Sequence, residues 1–321
     1  MKVSIVIRCL NEEQHIGKLL AGIMAQTKKD VEIIVVDSGS RDATLQIARQ
    51  FPVKIIQIKP EDFSFGYALN VGCRAATGDI LLFASAHVYP VYNDWLELMC
   101  KPFEEDEQVA VVYGKQRGDH RNKYSEHQVF AKWFPDESNP NQKHPFCNNA
   151  NCAIRRRLWE MQPYDETLTG LEDLDWAKKI QEKGYKIVYQ GEAVIIHVHE
   201  EKWKNVFNRY RREAIAYRLI MKNETFNFFT FIRLLTKNWW GDYRQALKDG
   251  VFVREFFSIF MFRLMQFWGT YRGYKQSYLM DNHLRERFYY PKGYLVRAPK
   301  TEPRQTRKID YSGLEMKDKP R

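Results

Sequence analysis

Apolar residues in the first half of the chain come in short β-branched runs separated by longer segments with helical spacing. Lys2–Arg8, Val31–Val36, Val53–Ile58, Ile80–Ala84 and Val109–Tyr113 are runs that read as buried strands. Between them, Ile16, Leu19, Leu20 and Ile23 keep helical spacing, and Asn11 with Gln14 offers a capping box in front of them. Arg41–Gln50, Tyr67–Thr77 and Tyr92–Phe103 read as further helices, with Gly78 as the C-cap of the second. Later, Leu174–Lys183 forms a helix closed by Gly184, and Ala193–Ile196 is strand-like. Strands alternating with helices predict an α/β fold with a mainly parallel, twisted sheet and helices on both faces. Ligands bind such sheets at the carboxyl ends of the strands. Three segments lie at such ends: Arg8–Glu12, Asp37–Asp42 and Ser85–His87.

Composition narrows the class. The chain has 321 residues, 44% hydrophobic, with a mean hydropathy of −0.54. No uncharged apolar run approaches the ~18 residues of a membrane span. Met1 leads straight into Val3–Ile7, so no secretory leader is expected. The 5 cysteines form no Cys-x-x-Cys pair and read as reduced thiols. The expected location is therefore cytoplasmic, with the inner face of the cell membrane as an option. A secreted disulfide scaffold, a transporter and a disordered tail protein are excluded.

Charge divides the chain. Residues 1–199 hold 24 Lys/Arg and 27 Asp/Glu, whereas residues 200–321 hold 26 and 13, a net +13. Residues 226–280 also carry 17 of the 46 aromatic residues. These shifts predict a catalytic or binding domain over 1–199 and a helical, basic, aromatic-rich region over 200–321, ending in a polar tail from about Arg297.

Several chemistries fail on their motifs. No Gly-x-Gly-x-x-Gly follows the first strand, no P-loop is present, and no Gly-x-Ser-x-Gly elbow exists. Cys147, Cys152 and His144 lack the second pair that a zinc site needs. What remains is an acidic residue ending the second strand, in Val35-Val36-Asp37-Ser38-Gly39-Ser40-Arg41-Asp42. A carboxylate there can accept hydrogen bonds from a ribose or base; Ser40 and Asp42 would equally serve a turn and a helix cap.

Four segments in register give a sharper reading. Asn11-Glu12 after the first strand, Val36-Asp37-Ser38-Gly39-Ser40-Arg41-Asp42-Ala43-Thr44, Ala76-Thr77-Gly78-Asp79-Ile80-Leu81-Leu82-Phe83 and Gly170-Leu171-Glu172-Asp173-Leu174-Asp175 resemble family 2 glycosyltransferases over residues 1 to about 199. Phe63–Asn70 is similar to a segment of the rhamnosyltransferase-like branch. The resemblance implies a GT-A fold and inverting transfer of a sugar from a nucleotide-sugar donor to a glycan or lipid-linked acceptor. It implies that Asn11, Glu12 and Asp37 border the nucleoside and that Asn70 faces the diphosphate or sugar; a polar residue on a solvated helix face is the plainer account of Asn70. It implies Asp173 as the base and Glu172 as an acceptor or framework contact, although carboxylates are favourable at any helix N-terminus.

The pattern breaks at the family's Asp-x-Asp, where this chain has Ser85-Ala86-His87. The replacement allows lost metal binding, a changed metal site, or His87 acting directly on a phosphate; where a divalent cation, Mn or Mg, is kept, the resemblance implies His87 and His197 as its ligands, with Ser85 beside the donor. Imidazole suits Mn²⁺ or Zn²⁺ better than Mg²⁺. Of His197 and His199, at the end of a strand-like run, one is expected to enter the site, and His197 fits the family spacing better.

In the C-terminal region Phe256, Phe260, Leu264, Phe267 and Tyr271 recur at helical spacing among Arg254, Arg263, Arg272 and Lys275. Packing against the first domain or an oligomer contact accounts for part of this. An anionic membrane surface fits the charge, and nucleic acid is the weaker option, because no recognition module accompanies the charge. Two rivals to an enzyme remain: a non-catalytic nucleotide-sugar-binding homologue, motivated by the missing carboxylates, and a peripheral membrane adaptor acting through the C-terminus.

Overall fold

A computed structural model describes residues 1–275, 307–311 and 313. Most of the polar tail expected from Arg297 lies outside these residues. The strands are β1 (Val3–Cys9), β2 (Val31–Asp37), β3 (Val53–Gln57), β4 (Ile80–Ser85), β5 (Val88–Pro90), β6 (Val109–Arg117), β7 (Asn151–Arg155) and β8 (Lys186–His197). The first helices are α1 (Ile16–Met24), α2 (Thr44–Ala48), α3 (Phe65–Ala75), α4 (Trp95–Glu105) and α5 (Tyr124–Trp133). They are followed by α6 (Arg156–Met161), α7 (Glu172–Glu182), α8 (Trp203–Ile220), α9 (Phe228–Lys248) and α10 (Phe252–Lys275).

The strands form one sheet in the order β3-β2-β1-β4-β7-β6-β8-β5. The β3-β2-β1-β4 half is parallel throughout, and β6 pairs β8 in parallel. β7 runs antiparallel to both β4 and β6, and β5 antiparallel to β8. The registers Cys9↔Asp37 and Arg8↔Ser85 put three strand ends in one line, which is where the cleft opens. The runs of β1, β2, β4 and β6 are largely buried on both faces, whereas Val53–Ile58, expected to be a buried strand, is only half-buried, because β3 is the edge of the sheet. Val3, Ile5 and Ile7 join one layer with α1 and α4, while Val6, Ile34 and Leu81 join the other with α3 and α7.

Some boundaries differ from the sequence pattern for local reasons. Asn11 does not cap α1, which begins at Ile16. It takes a left-handed φ of 55°, and its Oδ1 accepts from the Arg41 amide at 2.8 Å. α2 has 5 residues rather than the ten-residue span expected, because Asp42 accepts from the Thr44 amide at 3.0 Å and keeps 41–43 in a turn. Gly78 is not a C-cap either. α3 ends at Ala75, and Gly78 lies where a Cβ would sit 2.7 Å from the Ser4 amide nitrogen.

α8, α9 and α10 bury a third layer, with Phe231, Leu234, Phe267 and Tyr271 packed on Leu174 of α7. Between α9 and α10, Arg263 and Asp242 are 1% exposed each and bonded at 2.7 and 2.9 Å. On α10, a Cβ at Gly269 or Gly273 would lie 2.4 Å from the Phe207 carbonyl or 2.5 Å from that of Arg211, so these glycines let α10 seat directly on the backbone of α8. Residues 307–311 return to the β5 edge, where the Tyr311 hydroxyl donates to the Pro90 carbonyl at 2.6 Å.

Candidate active site

A cleft of about 640 Å³ lies across the carboxyl ends of β1 and β4, facing the N-terminus of α7 and one side of α8. Two loops wall its first side. The Ser40 hydroxyl accepts from the Asn11 amide at 2.8 Å, and the Thr44 hydroxyl accepts from the Glu12 amide at 2.7 Å. Asp37 is fully buried and accepts from the Gly39 amide at 3.1 Å and the Ser40 amide at 3.2 Å. Asn11, Glu12, Ser85, His87, His197, Glu172 and Asp173 all line the cleft.

Asn70 does not reach it. Its amide nitrogen donates to the Tyr164 carbonyl at 2.9 Å and to Glu166 at 2.8 Å, and its oxygen accepts from Trp159 Nε1 at 2.9 Å and the Tyr164 amide at 3.1 Å. Its hydrogen-bonding capacity is filled inside the core. The expectation that Asn70 faces the donor is corrected accordingly; the residue braces α3 against the 159–166 segment. Asp37 likewise acts on the loop that lines the cleft rather than lining it.

Asp173 is half-buried at the first turn of α7. Its carboxylate accepts from the Asn149 amide at 3.0 Å and the Leu174 amide at 2.8 Å. Burial, reinforced by the neighbouring Glu172 charge, pushes its pKa up to about 7 against those two amides. Glu172 is 4% exposed and pairs with Arg8 at 3.6 Å. Leu171, just before them, is held at a φ of 56°, a conformation that costs of order 1–3 kcal/mol in a residue with a Cβ. Two guanidiniums lie against the phenyl ring of Phe65, Arg8 at 4.8 Å and Arg212 at 4.5 Å from its centre. Arg8 Nη1 and Arg212 Nε are buried without a hydrogen-bond acceptor.

Three histidines meet at the opposite wall. Nitrogens of His87, His197 and His199 all lie within 4.8 Å of one another. Each ring is fixed through Nδ1: His87 to Glu12 at 2.8 Å, His197 to Gln116 at 2.7 Å, His199 to Glu126 at 2.7 Å. His197 Nε2 is buried with no partner. Burial and the nearby His199, His87 and Arg209 hold its pKa well below the ordinary histidine value. The expectation that only one of His197 and His199 enters the site is corrected: two residues apart on an extended run, they fall on the same face, and both line the cleft. β8 ends at His197, and the Val198 amide donates to the His87 carbonyl at 3.1 Å, which holds this end of the run beside His87.

Behind His199, Glu126 is buried. Desolvation alone would raise its carboxyl, yet His199 and Arg209 hold it down at about 2. Glu126, His199 and Glu201 also converge, but Arg209 already neutralises that group at 2.7 and 2.6 Å. Imidazoles held on the far nitrogen by a carboxylate or an amide are the usual setting of a metal site, and the unpartnered His197 Nε2 fits a cation among His87, His197 and His199.

Arg209, Arg212 and Glu213 of α8 line the cleft as well. They lie beyond residue 199, and only the basic character of the region hinted at them. A second, apolar recess of about 130 Å³ shares Leu171, His197 and His199 with the cleft and is walled by Phe130, Trp133 and Tyr217.

Residues 4–161 match the family described as glycosyl transferase family 2. The chain is 27% identical over 222 residues to the O-antigen chain rhamnosyltransferase RfbN of Salmonella typhimurium, covering 65% of this chain and 70% of that one. It is 30% identical over 196 residues to the O-antigen chain rhamnosyltransferase WbaN of Salmonella anatum, covering 58% and 62%. Among solved structures it is similar to the mannosyltransferase PcManGT of Pyrobaculum calidifontis, determined with GDP-Man and Mn²⁺, at a TM-score of 0.57 and 19% identity over 85% of this chain and 84% of that one. The fold is GT-A, with C-terminal helices added. Through its 4–161 domain the chain belongs to the family 2 glycosyltransferases. It is a glycosyltransferase enzyme.

Proposed function

We propose that the enzyme transfers a sugar, with inversion, from a nucleoside diphosphate-sugar to a hydroxyl of a glycan or lipid-linked acceptor in surface polysaccharide synthesis. The observation that carries the reading is Asp173: a cleft-lining carboxylate whose pKa is pushed up to about 7, which lets it take a proton near neutral pH. In the proposed step the acceptor oxygen attacks the anomeric carbon while its proton passes to Asp173. The bond from that carbon to the diphosphate breaks, and the nucleoside diphosphate leaves with the electron pair. Glu172, paired with Arg8, serves as a framework contact beside the base.

The donor reading is supported by the O-antigen rhamnosyltransferases among the relatives and by the GDP-Man complex of the mannosyltransferase. The nucleoside would lie along Asn11-Glu12 and the loop braced by Asp37, with Ser85 beside the sugar and the diphosphate toward Arg8 and Arg212. A divalent cation, Mn²⁺ in preference to Mg²⁺ on an all-nitrogen donor set, would be held by His87, His197 and His199, and when bound supplies positive charge beside the leaving diphosphate. The acceptor would approach from the Leu171 side, where the apolar recess adjoins the base.

The test is Asp173→Asn assayed against a panel of nucleotide-sugars. Transfer should fall roughly 10²-fold or more while donor binding persists, because the base acts on the acceptor. Near-normal turnover by a folded variant would remove Asp173 from the mechanism.

A further inference from the structure

We propose that α9 and the start of α10 form a docking face for an anionic lipid bilayer. Phe229, Trp240 and Leu247 are 82%, 72% and 61% exposed, and Ile232 is exposed beside them. At ~100° per residue these positions fall in a strip about 80° wide along α9. Across the turn at 249–251, Val253 at 90%, Phe256 and Phe257 continue the apolar surface. They are seated there because Tyr243 stacks on Phe256 at 5.1 Å and Trp239 on Phe260 at 4.6 Å.

Charge selects the occupant. Arg233, Lys237, Arg244 and Lys248 are exposed along one edge of the strip. The sole carboxylate of α9, Asp242, is buried against Arg263. α9 therefore presents aromatic and aliphatic groups flanked by charge of one sign. An apolar stripe with a cationic border is the pattern of a helix lying in a lipid interface, with phenyl and indole rings below the headgroups and cations against the phosphates. A second copy of the chain would set the same cationic edge against itself, which costs energy in a two-fold contact. Spanning is excluded for the described residues, since no helix among them is long and apolar enough to cross a membrane. The inference requires nothing of the donor or acceptor, and lipid binding is read without sugar transfer.

The test is flotation of the full chain with vesicles of phosphatidylglycerol and phosphatidylcholine, and with phosphatidylcholine alone. The protein should float with the anionic vesicles, and about tenfold less at ~1 M salt, where the Debye length shrinks to roughly 3 Å. Phe229→Ser with Trp240→Ser and Phe257→Ser should lower vesicle binding by tenfold or more, as should Arg244→Glu with Lys248→Glu. Both variants should keep the wild-type unfolding temperature, since every changed side chain is exposed. Quenching of tryptophan fluorescence by brominated lipid gives a readout on the unmodified chain. The proposal is overturned if wild-type protein stays out of the vesicle fraction at both salts, if brominated lipid leaves its fluorescence unchanged, or if folded variants float like wild type. It is equally overturned if the wild type is a dimer that the triple variant converts to a monomer.

Discussion

The Asp173 carboxyl sits between two opposing influences. Burial and Glu172 raise its pKa, and the amides of Asn149 and Leu174 lower it. Because the deprotonated form is the one that accepts a proton, kcat/KM should climb with pH up to about 7 and level off above it. A pH profile of transfer measures this, and a plateau already reached at pH 5 would contradict the raised value. At the other wall, His197→Ala should abolish most of the thermal stabilisation given by Mn²⁺, with Gln116→Ala producing a smaller loss by freeing the ring. Differential scanning fluorimetry with Mn²⁺ and with Mg²⁺ reads both; equal stabilisation of wild type and His197→Ala would remove the imidazole site. These residues differ in how far the sequence discloses them. Asp173 and Glu172 lie in a short motif at a helix start, where a local pattern fixes position. His199 was within reach of the sequence, because it stands two residues from His197, the spacing that places both on one face of an extended run. Asn70 sits in a helix, and nothing local shows that Tyr164 and Trp159, some ninety residues on, take up its amide.

At the level of elements, the parallel half of the sheet is readable because β1, β2 and β4 are continuous apolar runs, as strands covered on both faces must be. β7 is not, because its antiparallel placement between β4 and β6 is decided by pairing at long range. Glycine in a helix is usually only a weakness, and from sequence Gly269 and Gly273 carry no sign of purpose. In the fold they admit the backbone of α8. Gly269→Ala should therefore destabilise the protein by about 1–3 kcal/mol, the usual cost of overpacking, in spite of alanine's better helix propensity. Chemical denaturation tests this, and a stabilised variant would mean that the two helices separate freely. Asp242→Ala should cost more, about 3–5 kcal/mol, by leaving the Arg263 guanidinium buried without its counter-charge.

For the whole molecule, a division at residue 199 separates charge correctly but not the site, since Arg209, Arg212 and Glu213 reach back into the cleft. α9 and α10 also cover Leu168 and Leu174. A chain cut after residue 222 should consequently be insoluble or unfold at markedly lower temperature, because an apolar layer loses its cover. A cooperative, near-native melt of the truncated chain would show the first domain to be self-sufficient. That loss of cover is why truncation is a poor probe of lipid binding and point changes on exposed rings are a better one.

The glycine-lined contact of α10 with α8 has a geometric consequence. α8 supplies part of the cleft wall, and α10 begins in the aromatic patch, so the backbone contact joins the two as one rigid lever. An enzyme resting on that patch would hold its cleft at a fixed height and tilt above the surface. Its search for an acceptor anchored in that surface would then become a walk in two dimensions, with the attacking hydroxyl arriving at one angle.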